Sequence, residues 1–431
     1  MMTAKKILFD ITYLAYWRGK PTGIPRVIAE LTRVYARQSN CVFVVWGTNE
    51  GRFYEVDPMS ILSRGDDDKA FVFTPRFKGA QKLKPALLPA GIFLRGLTIM
   101  QDKHKIPVPK GMIKTVGALH KSRHKAVTME RGDLLFIPMG EWADKLYSDA
   151  VVSYVNHGVK LVQVCYDVLP LVTPQYSGHA TKSMDEYNQK IFPLADRILV
   201  ISEHTKTDLV RWLQAKKLRV PPVNVFRLGD DFHKIKPVQP SLPGGGSLRE
   251  QKYIICVGTI EARKNHTLLY YTYKLASLRG IELPLLVIIG RRGWKTDNIV
   301  DIIKDDPDVN KRMVFLNNVS DEELSWLYEN AMFSVYPSFY EGWGLPIAES
   351  ISYGIPCVAS NTSSMPEIAG DLITYFNPAS TDECLKAITD MSSPDALQAA
   401  RKLIKKYKPT SWSDTCRQVD EYIKEVYANE G

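Results

Sequence analysis

No apolar run in this chain approaches the length of a membrane span. The longest, such as Leu283 to Ile289, stay far below it. No secretory leader stands at the start either: Met1 to Lys6 lead into three apolar residues and then Asp10, so a cytoplasmic protein is expected. The six cysteines are scattered, form no CxxC pair and keep no metal-ligand spacing to a histidine. Several sit inside strand-like runs, as in Ile254-Ile255-Cys256-Val257, which reads as buried thiols in a reducing compartment. No repeat with a period of 20 to 50 residues is present, which excludes a solenoid.

Charge of one sign is scarce in one place. Between Arg76 and Arg131 thirteen Lys or Arg face two acids, Asp102 and Glu130, in a chain of net charge +9. Such a segment suits an anionic partner, and the apolar island Ala86 to Met100 within it suits a shallow membrane contact. An ordinary loop with a small core anchor fits the same residues. The interleaved aromatics of a single-strand nucleic-acid platform are missing, so nucleic acid is not expected as a partner.

What is present is a chain of 431 residues, enough for two domains. Short apolar runs alternate with helix-like stretches, the pattern of βα units and a parallel α/β sheet. The first series runs through Lys6 to Asp10, Val42 to Trp46, Leu134 to Ile137, Leu161 to Cys165 and Ile198 to Ile201, with a helix opened by Pro25. Proline and glycine crowd into Pro237 to Ser247, an interdomain linker. A second series follows: Tyr253 to Val257, Leu285 to Ile289, Met313 to Phe315, Phe333 to Tyr336 and Pro356 to Ala359. Ser320 to Glu323 reads as a capping box and Trp412 to Val426 as a closing helix. The expected division is 1–238 (with the basic insertion about 76–131), a linker at 239–251, a second domain at 252–408, and a helix over 409–431 that packs back on the first domain.

The chemistry concentrates in Ser338 to Glu349. Glu341 and Glu349 stand eight apart, and between them Gly342-Trp343-Gly344 leads through Leu345 to Pro346, which opens a helix. A glycine turn that feeds a helix N-terminus lets backbone N–H groups approach a phosphate. Flanking carboxylates can accept hydrogen bonds from sugar or ribose hydroxyls. The second element is Val257 to Asn265, where a strand ends at Gly258 and two cations, Arg263 and Lys264, precede a helix from His266. Cations are disfavoured beside a helix N-terminus unless an anion is there. A fork and a point charge together suit a departing diphosphate.

These two segments resemble the glutamate-x7-glutamate motif and donor-phosphate cations of retaining glycosyltransferase family 4. The likeness is strong from Tyr253 to Gly370, moderate from Lys6 to Leu31 and from Val162 to Leu213, and weak elsewhere. Within the family the chain looks most like polysaccharide and O-antigen mannosyltransferases, through Gly290-Arg291-Arg292-Gly293-Trp294 and Thr22-Gly23-Ile24-Pro25-Arg26. The resemblance implies a GT-B fold: two Rossmann-like parallel-sheet domains facing across a cleft. It also implies transfer of a hexose, mannose favoured, from a nucleotide-sugar to a growing polysaccharide or lipid-linked glycan, with retention and without a metal or other cofactor. GDP-mannose is the favoured donor; UDP-sugars and dTDP-rhamnose stay open.

The resemblance gives Arg263, Lys264, Glu341 and Asp167 catalytic roles. It places Gly23, Gly258, Asn318, Val319, Gly342, Trp343, Gly344, Leu345 and Glu349 at the donor. Tyr166, Arg26 and His204 fall on the acceptor or sugar side. Relatives carry histidine where this chain has Tyr166, which cannot serve as a base at neutral pH. Asp167 is either a sugar or acceptor ligand or a loop aspartate that caps a turn. Ser202 suits a helix N-cap better than a site role. The Asp66-Asp67-Asp68 run reads as an exposed acidic loop, not a metal site. Two other readings remain: a related epimerase or phosphorylase, and a catalytically weak scaffold subunit of a polysaccharide assembly complex.

Overall fold

The computed structural model describes residues 5–18, 21, 23–63, 75–76, 121–122, 125–177, 181–230, 235–241, 247–249, 251–293 and 297–428. Asp66 to Asp68, the Ala86 to Met100 island, nearly all of the basic segment, Thr22, Trp294 and part of the 237–247 linker lie outside them. The chain divides into two compact units, Met1–Lys160 and Leu161–Gly431.

In the first unit, strands β1 (Ile7–Asp10), β2 (Cys41–Gly47), β3 (Arg52–Glu55) and β4 (Leu134–Ile137) lie in the order β3-β2-β1-β4. β1 pairs in parallel with both β2 and β4. β3 runs antiparallel to β2 at the edge, a strand the sequence reading did not expect. Helices α1 (Thr12–Tyr16), α2 (Ile24–Tyr35), α3 (Pro58–Leu62) and α4 (Lys145–Asn156) accompany them. Gly23, at φ 58°, turns the chain into α2, and Pro25 sits in its first turn as expected. The α2 face formed by Val27, Ile28, Leu31 and Tyr35 is buried. There the Tyr35 ring meets Phe9 edge-on, and Phe9 also packs on Phe43 and Phe136.

The second unit holds β5 (Lys160–Cys165, from Leu161 on), β6 (Arg197–Val200) and β7 (Val223–Val225), all parallel in the order β5-β6-β7. With them go α5 (Leu169–Val172), α6 (Thr181–Ile191) and α7 (Glu203–Ala215). Ser202 caps α7, its Oγ accepting from Thr205 N at 3.0 Å.

A six-stranded sheet follows in the same unit: β8 (Tyr253–Val257), β9 (Leu285–Ile289), β10 (Met313–Leu316), β11 (Ser334–Tyr336), β12 (Cys357–Ser360) and β13 (Thr374–Phe376). Its order is β10-β9-β8-β11-β12-β13 and every pairing is parallel. This is the doubly wound order, and its direction reverses between β8 and β11. The unbroken apolar runs YIICV and LLVII suit strands covered on both faces. One face packs Ile254, Leu286 and Val358 against α8 (His266–Leu278). Val300 and Ile303 of α9 (Asp297–Asp305) join that face, while the other packs Tyr253, Ile255 and Val287 against Trp326 and Leu327 of α10 (Asp321–Asn330). The expected capping box of Ser320 and Glu323 opens α10. Helices α11 (Leu345–Ser352), α12 (Met365–Ala369), α13 (Thr381–Met391), α14 (Pro394–Ile404) and α15 (Trp412–Ala428) complete the unit. Of the six cysteines, all but Cys41 are buried. No described helix is long and apolar enough to cross a membrane.

Candidate active site

In doubly wound sheets ligands bind beyond the carboxyl ends of the strands, where the order reverses. Here that point lies between the loops that follow β8 and β11. The β8 loop starts at Gly258, whose backbone takes φ 145°. It passes so close to Gly290, after β9, that a Cβ on Gly290 would stand 2.0 Å from the Gly258 oxygen. A 3-10 turn over Ala262–Lys264 follows, and Asn265 at φ 59° turns the chain into α8. The Asn265 amide donates to the carbonyls of Pro337 and Pro378 at 3.1 and 2.9 Å. Phe339 N donates to the Arg263 carbonyl at 2.9 Å. The two loops are thus fixed to each other through the backbone.

Their side chains converge on Glu341, which is 7% exposed. Arg263 Nη1 lies 2.5 Å from its Oε2, and Lys264 Nζ lies 2.6 Å from its Oε1. The hydroxyls of Tyr336 and Ser338 also donate to Oε1, at 2.9 and 2.8 Å. Lys264 reaches the Tyr336 hydroxyl at 2.5 Å and stands 4.7 Å from its ring centroid. Buried Glu261 accepts from Arg263 Nε at 3.0 Å.

Burial works against the Glu341 charge, but Arg263 and Lys264 reverse that and hold its carboxyl at about 2. Burial pulls Lys264 down from the ordinary lysine range; Glu341 opposes this and neighbouring Arg263 adds to it. For Arg263, burial is outweighed by Glu341 and Glu261, so the guanidinium stays charged.

Other expected residues gather here. A Cβ on Gly342 would lie 2.2 Å from the Tyr166 carbonyl oxygen and 3.2 Å from Asp167 Cβ, so the β5 loop and the β11 loop touch through backbone. Asp167 Oδ1 accepts from Leu169 N at 3.1 Å, at the start of α5, which is the turn-capping role. Burial also pushes its carboxyl up, with Arg263 partly reversing the shift. Gly344, at φ 123°, precedes α11, which begins at Leu345. Glu349, on α11, accepts from the Tyr328 hydroxyl at 3.1 Å.

The remaining residues are engaged differently. Trp343 is buried, with the Arg227 guanidinium 5.8 Å from its ring centroid. Asn318 takes φ 57° after β10, and Val319 packs on the core. His204 Nε2 lies 3.2 Å from Asp208 Oδ2. Gly23 and Arg26 belong to the first unit, at the start of α2. Among the described residues no group of three or more His, Cys, Asp or Glu is arranged to hold a metal ion.

Sequence reasoning missed Tyr336, Ser338 and Glu261, which surround the central ions. Their only local signal is position: Tyr336 ends β11, and Ser338 and Glu261 lie in the loops at the strand ends. It also missed Asp10 at the end of β1. This buried carboxylate accepts from Thr12 N and, at 2.5 Å, from the Tyr147 hydroxyl. Burial raises it to about 6, those hydrogen bonds notwithstanding. Burial, then Asp10 and Asp144, raise nearby Glu141 to about 7.

Residues 244–408 match the family of glycosyl transferases group 1. The O-antigen chain mannosyltransferase B of Escherichia coli is 28% identical over 307 residues, covering 69% of this chain and 80% of that protein. The serotype-specific mannosyltransferase WbdA of Escherichia coli is 27% identical over 245 residues, 53% of this chain, which spans only 29% of WbdA. In architecture, the sucrose-phosphate synthase of Thermosynechococcus elongatus superposes with a TM-score of 0.60 at 14% identity, covering 99% of this chain and 100% of that one. With its two parallel-sheet α/β domains and a glycosyl transferase group 1 domain over residues 244–408, the chain is a GT-B glycosyltransferase that resembles O-antigen mannosyltransferases.

Proposed function

We propose that the chain transfers mannose from GDP-mannose to a growing polysaccharide or lipid-linked glycan, with retention of configuration and without a metal ion. The observation that carries this reading is the convergence of Arg263 and Lys264 on Glu341 where the strand order reverses between β8 and β11. As the glycosidic bond to the diphosphate breaks, negative charge builds on the leaving oxygens. Two cations held in place beforehand stabilise that charge without reorganising.

In this structure Glu341 is itself the anion that Arg263 and Lys264 hold. A diphosphate offers both cations a more highly charged partner, and Glu341 is then released towards the sugar hydroxyls, for which its strongly depressed carboxyl is a charged acceptor. Glu349 would hold the ribose. The main chain at Asn318 and Val319 would meet the base, and the Gly342–Gly344 turn would face the phosphates. Asp167, Tyr166 and His204 would line the sugar or acceptor side. The mannosyl assignment rests on the names of the relatives, among them the MMP alpha-(1->4)-mannosyltransferase of Mycolicibacterium hassiacum, 25% identical over 203 residues. The basic segment 76–131 would bring the enzyme to an anionic membrane surface.

A thermal-shift screen across GDP-, UDP- and dTDP-sugars, followed by a transfer assay, tests this. Stabilisation and turnover with GDP-mannose are expected. Preference for a UDP- or dTDP-sugar sinks the donor assignment, and an absence of turnover with every donor sinks the enzyme reading.

A further inference from the structure

The loop that carries Glu341 is held from two sides by residues outside the Arg263–Lys264–Glu341 cluster. On one side stands the segment before α12. Ser363, at φ 58°, donates its hydroxyl to the Glu341 carbonyl at 2.5 Å and accepts from Glu341 N at 3.1 Å. Ser364 Oγ donates to the carbonyls of Glu341 and Trp343 at 2.8 and 2.7 Å. On the other side stands α7. Its Asp208 accepts from the Tyr340 hydroxyl at 2.7 Å and from His204, whose ring packs edge-on against Tyr340. Thr205 Oγ1 lies 3.5 Å from the Gly342 carbonyl oxygen, and Tyr176 stacks on Phe339 at 5.2 Å.

Glu367 joins the two sides. It sits in the first turn of α12, and its two carboxylate oxygens accept from the backbone N–H groups of Glu203 and His204 at 2.7 and 2.8 Å. A helix N-terminus leaves its first N–H groups without intrahelical partners. Ser202 satisfies one of those of α7, and Glu367 satisfies two more from 164 and 163 residues away. Negative charge at that end also suits the helix dipole. The short stretch from Ser363 to Glu367 therefore grips the Glu341 backbone at one end and α7 at the other. Tyr340 closes the loop of contacts.

We propose that Glu367 and the Tyr340–Asp208 pair are positioning residues for the transfer reaction. They clasp the Phe339–Gly342 loop to α7, and Glu341 takes up its working pose only while the clasp is closed. Arg263 Nη1 donates to the Tyr340 backbone carbonyl at 3.3 Å, a contact that Tyr340→Phe keeps, so loss of the clasp falls on kcat more than on the grip on the diphosphate. The inference rests on the glycosyltransferase reading above.

The test uses the full chain with GDP-mannose as donor and methyl α-mannoside as acceptor, UDP-glucose and dTDP-rhamnose being run in parallel. Tyr340→Phe removes one oxygen and Glu367→Ala removes the cap. Each is expected to lower kcat about tenfold, as small misplacements of a catalytic group do, with donor KM held within about twofold. Asp208→Asn, which keeps an oxygen for Tyr340, should recover most of the rate that Asp208→Ala loses. Hydrogen exchange should rise together in residues 339–344 and in the first turn of α7, with the core of the six-stranded sheet unchanged. Unaltered kcat in Tyr340→Phe overturns the inference, and so does a rise in exchange spread over the whole unit in both variants. If Glu367→Ala fails to fold, Tyr340→Phe and the Asp208 pair decide. A wild-type chain that turns over none of the donors sinks the glycosyltransferase reading and this inference with it; an active wild type with indifferent variants sinks the inference alone.

Discussion

Lys264 and Glu341 come from the ends of two neighbouring parallel strands and meet as a buried ion pair, 2.6 Å from Nζ to Oε1. The pair is not isolated, because Arg263 holds the other carboxylate oxygen. Lys264→Ala therefore leaves Glu341 charged and paired. The fold should survive, while the positive charge facing the leaving group is halved. Loss of one preorganised donor to a developing anion costs roughly 10²–10³ in kcat. Steady-state kinetics beside a melting curve check both halves, and a near-normal rate in a folded Lys264→Ala protein would remove the chemical basis of the site.

Glu341→Gln should give the opposite balance. The two cations then face an amide, and the ion pair left to Arg263 among the described residues is the one with Glu261. Breaking a buried pair from one side leaves uncompensated charge and costs roughly 3–5 kcal/mol, so the unliganded variant should melt well below wild type. A diphosphate restores the missing negative charge. GDP should accordingly raise the melting temperature of the variant more than that of wild type, by linkage of binding to folding. An equal or smaller rise would show that the cations are not where the diphosphate binds.

Five strands of the six-stranded sheet were readable because their sequence pattern is local. Tyr253–Val257 and Leu285–Ile289 are uninterrupted apolar runs covered on both faces, and both fall at the expected residues. The start of α8 at His266 was readable for the same reason. β3, β7 and β13 were not. RFYE, VNV and TYF are too short for a period to show, and neighbouring strands and burial decide them. In the site, Arg263, Lys264 and Glu341 were legible through the types of charge placed at strand ends. The partners that hold them were not. No local rule links Asn265 to Pro378 or Glu367 to the first turn of α7, because only the folded chain brings those residues together.

Stability should fall as pH rises through the acidic range, because of Asp10. Its carboxyl is raised from 3.8 to about 6 by burial, so the folded state binds a proton that the unfolded state has released between those values. Stability linked to this group is fully present below about pH 4 and lost as pH passes about 6. Glu141, raised to about 7, extends the loss towards neutrality. Glu341 acts in the reverse sense: its depressed carboxyl contributes stability above about 4.5 that disappears as pH falls towards 2. Asp10→Asn keeps an oxygen for Thr12 N and offers an amide to the Tyr147 hydroxyl. It should flatten the decline, recovering up to about 3 kcal/mol at neutral pH by the size of the shift. Melting curves at several pH values for wild type and variant decide it, and parallel curves would mean that Asp10 is ionised at no cost.

Gly342→Ala probes the contact between the β5 and β11 loops. The new methyl would stand 2.2 Å from the Tyr166 carbonyl oxygen, a backbone atom that cannot rotate away, and 3.2 Å from Asp167 Cβ. One loop has to move, and overpacking of this kind costs about 1–3 kcal/mol. Movement of the β11 loop carries Glu341 with it, since that residue is the immediate neighbour of Gly342. The expected result is a modest fall in melting temperature and a much larger fall in kcat, because stability is averaged over the unit while the rate depends on one carboxylate. The Gly342–Gly344 turn would face the phosphates and the β11 loop is tied to Arg263 through Phe339 N, so affinity for GDP should fall as well, by less than kcat. A variant with normal kcat and normal GDP affinity would mean that the separation of these two loops does not govern the chemistry.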